Sequence, residues 1–335
     1  MKAAILVEPG RIEFRDVETP RANANEALIR VRAASICGTD VHIFEGRWKV
    51  STPRIMGHEG SGEAVEVGSG VTKVDVGDRV VVAPLIRCGN CRMCRTGRYN
   101  ICERRRFVGI EADGVFAEYI KVDQSNVELL PDDLSFEEGA LVEPVAVAVH
   151  AVRRGGIPMN SAVVVLGAGP IGLCAIRAAK AAGAGEVLSV DLLEERLSLA
   201  SELGADEVIN PKEANVRDRV LKHTGGRGAD VVIEASGSPE AYKGIVDLVS
   251  KGGKIVQIGL PLANVCFDML AFSRKELELI GCNGHMMDLE GTLDLVRKDK
   301  TLISKMITHR LPLRDVRKGM EMAREGKGVK IVLLP

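Results

Sequence analysis

Three features of this sequence predict a two-domain α/β protein, with a β-rich N-terminal part followed by a doubly wound parallel sheet. Short Val- and Ile-rich runs broken by Gly, Asp and Pro fill Met1 to about Leu130. Strand-like and amphipathic runs then alternate from Ala162 to Ile280. A chain of 335 residues is long enough for two cores rather than one.

Composition narrows the class. With 46% hydrophobic residues the chain is not intrinsically disordered. A net charge of −1 supplies no field to hold nucleic acid or an anionic membrane nonspecifically, and 3% aromatics disfavour base-stacking platforms. The expected partner is therefore a small molecule. The first apolar run, Ala3 to Val7, stops at Glu8-Pro9-Gly10, too short for a signal core or a membrane span of ~20 residues. It reads as a strand, and the cytoplasm is the default address.

In chain order, Gly62 to Gly68 and Gly77 to Val82 read as antiparallel strands. Glu138 to Arg154 carries Ala, Leu, Val and His at helical spacing, which predicts a helix linking a first domain, 1–145, to a second, 146–284. In the second domain Ala162–Leu166, Val187–Val190, Asp230–Ile233, Lys254–Ile258 and Leu277–Ile280 read as strands. Ile171–Ala182, Glu194–Leu203 and Glu240–Val249 read as the intervening helices. The tail, 285–335, predicts helices near Glu290–Arg297 and Leu313–Arg324 and a last strand at Lys330–Leu334.

Three constellations carry chemistry. Cys88, Cys91 and Cys94, followed by Cys102, put four thiols into fifteen residues within the lobe 87–103. That clustering favours metal over disulfides and suits a closed tetrahedral structural zinc. An iron–sulfur cluster would also accept four cysteines, but nothing else is built for electron transfer. A zinc-ribbon module binding nucleic acid is weakened by the neutral charge.

Gly167, Gly169, Pro170, Ile171 and Gly172 form a GxGxxG that directly follows a strand and opens a helix, the setting in which the pattern marks a dinucleotide pyrophosphate site. Asp191 follows about twenty residues on, where a carboxylate accepts the adenosine ribose hydroxyls and repels a 2′-phosphate, favouring NAD over NADP. The plain alternative for Asp191 is a cap on the next helix. Arg196 tempers the repulsion. The third constellation is Cys37-Gly38-Thr39-Asp40-Val41-His42 with His58-Glu59 and the distant Glu143-Pro144. Thiolate, imidazole and carboxylate suit a zinc with an open position, although a lone cysteine is more often a small core residue.

In the order and identity of these motifs, together with Gly57-His58-Glu59-Gly60 and Asp113-Gly114-Val115-Phe116-Ala117-Glu118-Tyr119, the whole chain resembles the zinc-dependent medium-chain dehydrogenases. The resemblance implies a GroES-like catalytic domain, a Rossmann domain and a C-terminal return to the catalytic domain. It implies catalytic zinc at Cys37, His58 and Glu59, with Glu143 where many alcohol dehydrogenases carry a cysteine, as in the polyol and threonine branches. Thr39 and His42 match positions that relay a proton. The expected reaction is NAD-dependent oxidation of a secondary hydroxyl of a small polyol or diol by a cytoplasmic homotetramer, with Phe44, Phe107 and His285 as pocket candidates. L-threonine 3-dehydrogenase is the rival within the class; a zinc-free reductase and a noncatalytic NAD- and zinc-binding protein are the others. His150, His223, His309, Cys174 and Cys266 read as packing or solvated residues, and Arg104-Arg105-Arg106 as a solvated surface beside the lobe, with an anionic ligand or subunit contact as the alternative.

Overall fold

The computed structural model describes residues 1–261, 263–285 and 289–335. It divides into two compact units, Met1–Glu143 with Met286–Pro335, and Pro144–His285.

The first unit is built on a seven-stranded sheet. Its order is Val127–Leu129, Arg79–Val82, Glu59–Val67, Glu26–Ser35, Lys330–Leu334, Ile307–Pro312, with Tyr119–Asp123 also paired to Glu26–Ser35. The pairings are antiparallel except that of the last two strands in this order, which run parallel. A strand from the chain's end thus lies beside Glu26–Ser35, where Val332 and Leu333 face Ser35 and Ala34. Alternating burial along these strands gathers Ile29, Val31, Val80, Val82, Ile331 and Leu333 into one core, which Phe116 joins from the segment before Tyr119–Asp123. A smaller sheet joins Lys2–Glu8 to Arg11–Asp16 and Arg54–Ile55.

The second unit holds a six-stranded parallel sheet in the order Glu207–Ile209, Glu186–Val190, Ala162–Leu166, Ala229–Glu234, Val249–Gln257, Glu278–Gly281. Strand order reverses on either side of Ala162–Leu166, so the loop after that strand opens at a topological switch point. Ala162–Leu166 is buried throughout, as a strand covered on both faces must be.

The tertiary structure adds the strand Glu207–Ile209 and the helices Val216–His223 and Met269–Arg274 to the expected elements and differs from them in other places. The predicted helix Glu138–Arg154 is two helices, Phe136–Ala140 and Val142–Gly155, parted at Leu141. Ser135 starts the first with a reciprocal capping box to Glu138, a Ser-x-x-Glu spacing that places the helix start three residues before the expected one. Glu240–Val249 is not a continuous helix: Gly244, at φ 77°, separates the short helices Pro239–Tyr242 and Ile245–Leu248, and Val249 already belongs to the next strand. The helix Lys300–Met306 and the strand Ile307–Pro312 were not anticipated, because neither is marked by a strong apolar period.

Candidate functional site

Cys37 caps the helix Gly38–Phe44, and the carboxylate of Asp40 accepts its backbone N–H at 2.9 Å. The other Asp40 oxygen stands 3.4 Å from Nδ1 of His58, with both side chains buried. His58 and Glu59 are carried by the start of the strand Glu59–Val67, which lies against Ser35, two residues before Cys37. Donor atoms of Cys37, His58 and Glu59 all fall within 4.8 Å of one another. A half-buried thiol converging with a buried imidazole and carboxylate fits a divalent ion of zinc's ligand taste.

Charge in this region is balanced internally. Burial opposes protonation of His58, but Asp40 and Cys37 outweigh it and raise its pKa well above the usual imidazole value. Lys330 is 1% exposed and places Nζ 2.6 Å from one oxygen of Glu59 and 2.5 Å from the other, while the Ser35 hydroxyl donates to the same carboxylate. Burial disfavours the Lys330 ammonium, yet Glu59 and Cys37 raise its pKa. Asp40, Ser35 and Lys330 were not assigned roles from sequence. Cys37-x-x-Asp40 is a capping spacing that could have flagged the first; nothing local marks the others. Glu143 is buried in the first turn of Val142–Gly155, where burial pushes its carboxyl up to about 7 against the pull of His58. It lies outside the three converging donors.

Thr39 and His42 share the Cys37 helix and are both half-buried. Nδ1 of His42 is buried with no hydrogen-bond partner among the described residues, and burial with the nearby Arg47 lowers the pKa of the ring. Phe107 meets His58 edge-on, ring centroids 5.9 Å apart. Phe44, by contrast, is packed in the core of the first unit. His285 is buried at the end of the second unit.

The four cysteines of the lobe form a second cluster. Cys102 Sγ lies 3.4 Å from Cys88 and 3.8 Å from Cys91, and Cys88 lies 3.9 Å from Cys94. Tetrahedral zinc with its usual bonds to sulfur sets thiolates about 3.8 Å apart, so the donors fit the ion. Backbone N–H groups of Cys94, Cys88 and Arg104 point at these sulfurs, each at 3.4 Å, and the N–H of Asn90 helps to bring the Cys88 pKa down to about 6.

In the second unit Gly169 caps the helix Pro170–Ala181, with proline at its first position, where a missing N–H costs nothing. Gly167 has φ 94°, and a Cβ there would come within 2.9 Å of the Ser236 backbone; a Cβ on Gly172 would strike the carbonyl of Gly167. Asp191 follows the strand Glu186–Val190 and accepts the N–H of Ala168 at 2.7 Å and that of Leu193 at 3.0 Å. Leu193, not Asp191, caps the next helix. Asp191 instead pins the glycine loop, and a carboxylate with about four acceptor positions keeps others free for ribose hydroxyls. Arg196 places Nη1 3.9 Å from Asp191.

A β-rich unit holding two metal-suited clusters and a parallel-sheet unit with a dinucleotide fingerprint define a metal-dependent dehydrogenase. Residues 23–132 match the alcohol dehydrogenase GroES-like domain, and 170–298 match the zinc-binding dehydrogenase domain. The chain is 38% identical to an L-threonine 3-dehydrogenase of Bacillus licheniformis over 99% of its own length and 98% of the relative's. It is 35% identical to a sorbitol dehydrogenase of Bacillus subtilis over 100% and 97%. The crystal structure of 2R,3R-butanediol dehydrogenase from Bacillus subtilis superposes with a TM-score of 0.91 at 34% identity, covering 100% of this chain and 99% of that one. The chain belongs to the zinc-dependent medium-chain dehydrogenases and is an oxidoreductase whose cofactors are zinc and NAD. No helix among the described residues is long and apolar enough to cross a membrane.

Proposed function

We propose that this enzyme oxidises a secondary hydroxyl of a small polyol or vicinal diol to a ketone. The observation that carries the reading is the convergence of half-buried Cys37 with buried His58 and Glu59, with Glu143 as a further carboxylate and Phe107 against the His58 ring. In this reading Cys37, His58, Glu59 and Glu143 hold the catalytic ion, and Cys88, Cys91, Cys94 and Cys102 hold a structural one. Gly167, Gly169, Pro170, Ile171, Gly172, Asp191 and Arg196 hold the dinucleotide. When bound, zinc supplies Lewis acidity toward the hydroxyl oxygen and NAD supplies the hydride acceptor. Asp40 orients His58, as a carboxylate behind a metal-ligating imidazole does. Thr39 passes the hydroxyl proton toward His42, whose lowered pKa keeps its ring neutral and ready to accept it at pH 7.

L-threonine is the second reading, favoured by the extent of the match to the threonine dehydrogenase. The Glu143-Pro144-Val145-Ala146 run, without Gly-Asn after the proline, favours the polyol side. Initial rates of NADH formation over a panel of diols, polyols and L-threonine decide between them. The expected result is turnover of a diol or polyol above that of L-threonine; L-threonine exceeding every other member overturns the polyol assignment. Gel filtration with light scattering tests the tetramer.

A further inference from the structure

The arginines of the zinc lobe are out of proportion to the rest of the chain. From Arg87 to Arg106 seven residues are arginine and only Glu103 is acidic, in a protein of net charge −1. Elsewhere in the first unit most arginines find carboxylates, as Arg54 does in Asp113, Arg297 in Asp133 and Arg310 in Glu137. None of the seven lobe arginines forms an ion pair among the described residues: Arg104 is tied to the Asn90 amide and Arg87 stacks on Tyr99 at 4.6 Å. Four thiolates holding one zinc remove only part of this positive charge.

Arg105 differs from its neighbours. It is half-buried, and its guanidinium lies over the Phe107 ring at 5.8 Å, the same ring that meets His58 at 5.9 Å. Solvation accounts for the exposed Arg92, Arg95 and Arg98 but not for a guanidinium seated on the aromatic side chain against a metal-suited imidazole. Besides this ring the Arg105 guanidinium, with its five donors, has no hydrogen-bond acceptor among the described residues.

Resting on the dehydrogenase reading above, we propose that the substrate carries an anionic group, phosphate or carboxylate, bound by Arg105 while the reacting hydroxyl lies at the Cys37–His58 site. The lobe's positive field concentrates such a substrate, and Arg105 selects it.

The test compares glycerol, glycerol 1-phosphate and glycerate as substrates of the zinc-loaded enzyme. Calorimetric titration with glycerol 1-phosphate gives a readout independent of turnover. The expected kcat/KM for an anionic member exceeds that for glycerol by about tenfold or more, the strength of a charge-assisted hydrogen bond. In Arg105→Gln this ratio and the calorimetric affinity should both fall about tenfold, with the change in KM rather than kcat, while Arg98→Gln keeps the ratio. Whichever of phosphate and carboxylate shows the larger ratio identifies the anion. Equal kcat/KM for neutral and anionic members, or a ratio and affinity unmoved in Arg105→Gln, overturns the proposal while leaving the dehydrogenase reading intact. Arg105-dependent binding of glycerol 1-phosphate without oxidation of any alcohol supports the anion site and overturns the reading on which it was placed.

Discussion

The two metal-suited clusters of the β-rich unit are assembled in opposite ways. The cysteine lobe takes all its donors from fifteen successive residues, and its sulfurs are surrounded mainly by backbone N–H groups of the same loop. The Cys37–His58–Glu59 site draws on two separate parts of the chain and is braced by Asp40 from the Cys37 helix, Ser35 from the neighbouring strand and Lys330 from the last. A local loop stabilises itself through its ion, whereas a site shared among distant segments depends on the fold and in turn constrains it. The lobe is therefore expected to govern stability, and the braced site chemistry.

The sharpest way to break this contrast is Cys37→Ser or His58→Ala. Either variant should lower kcat/KM by about a thousandfold or more while keeping the zinc of the lobe and the affinity for NADH, because the dinucleotide residues lie in the other unit. Zinc analysis with NADH fluorescence titration checks this, and retained activity in both variants would remove the catalytic assignment. Cys91→Ser should do the reverse. Losing one of four thiolates should abolish metal in the lobe and lower the melting temperature by about 10 °C or more, with the remaining folded enzyme still active.

Lys330→Met tests the bracing. It leaves the Glu59 carboxylate buried without its cation and should destabilise the protein by about 3–5 kcal/mol in urea unfolding. Asp40→Asn, which keeps the shape of the cap but weakens the charge behind His58, should cost about 10- to 100-fold in activity or zinc affinity. An unchanged Asp40→Asn enzyme would show that the 3.4 Å approach to His58 has no functional weight.

The smallest expected effects concern the relay and the cofactor. Because burial holds His42 below the ordinary imidazole pKa, its ring is neutral at pH 7 and protonates only as the pH falls below that lowered value. The loss of kcat in His42→Ala should therefore be greatest near neutral pH and shrink toward pH 9, where bulk base replaces the ring. A parallel pH–rate profile would mean that the proton leaves directly to solvent. Asp191→Ser should shift the NAD to NADP ratio of kcat/KM by about tenfold, modest because Asp191 also anchors the glycine loop through Ala168.

What could be read directly in the chain was what depends on short range. The four-cysteine spacing, the Gly167 to Gly172 turn and the alternation around Ala162–Leu166 are local patterns, and each constrains its own backbone within a few residues. Gly167 and Gly172 are legible because the atoms that exclude a Cβ there belong to a turn whose shape recurs. The helix break at Leu141 was not legible, since apolar periodicity continues across it and no glycine or proline stands at the break. Lys330 looked like the ordinary start of a final strand. Only the pairing of that strand beside Glu26–Ser35 carries its ammonium to Glu59, 271 residues away in sequence. Sequence by itself thus determined which chemistry the chain carries, because ligand types and turn-forming residues are local properties. The tertiary structure alone decided which charges meet in the interior, because burial and pairing arise only when distant strands share one sheet.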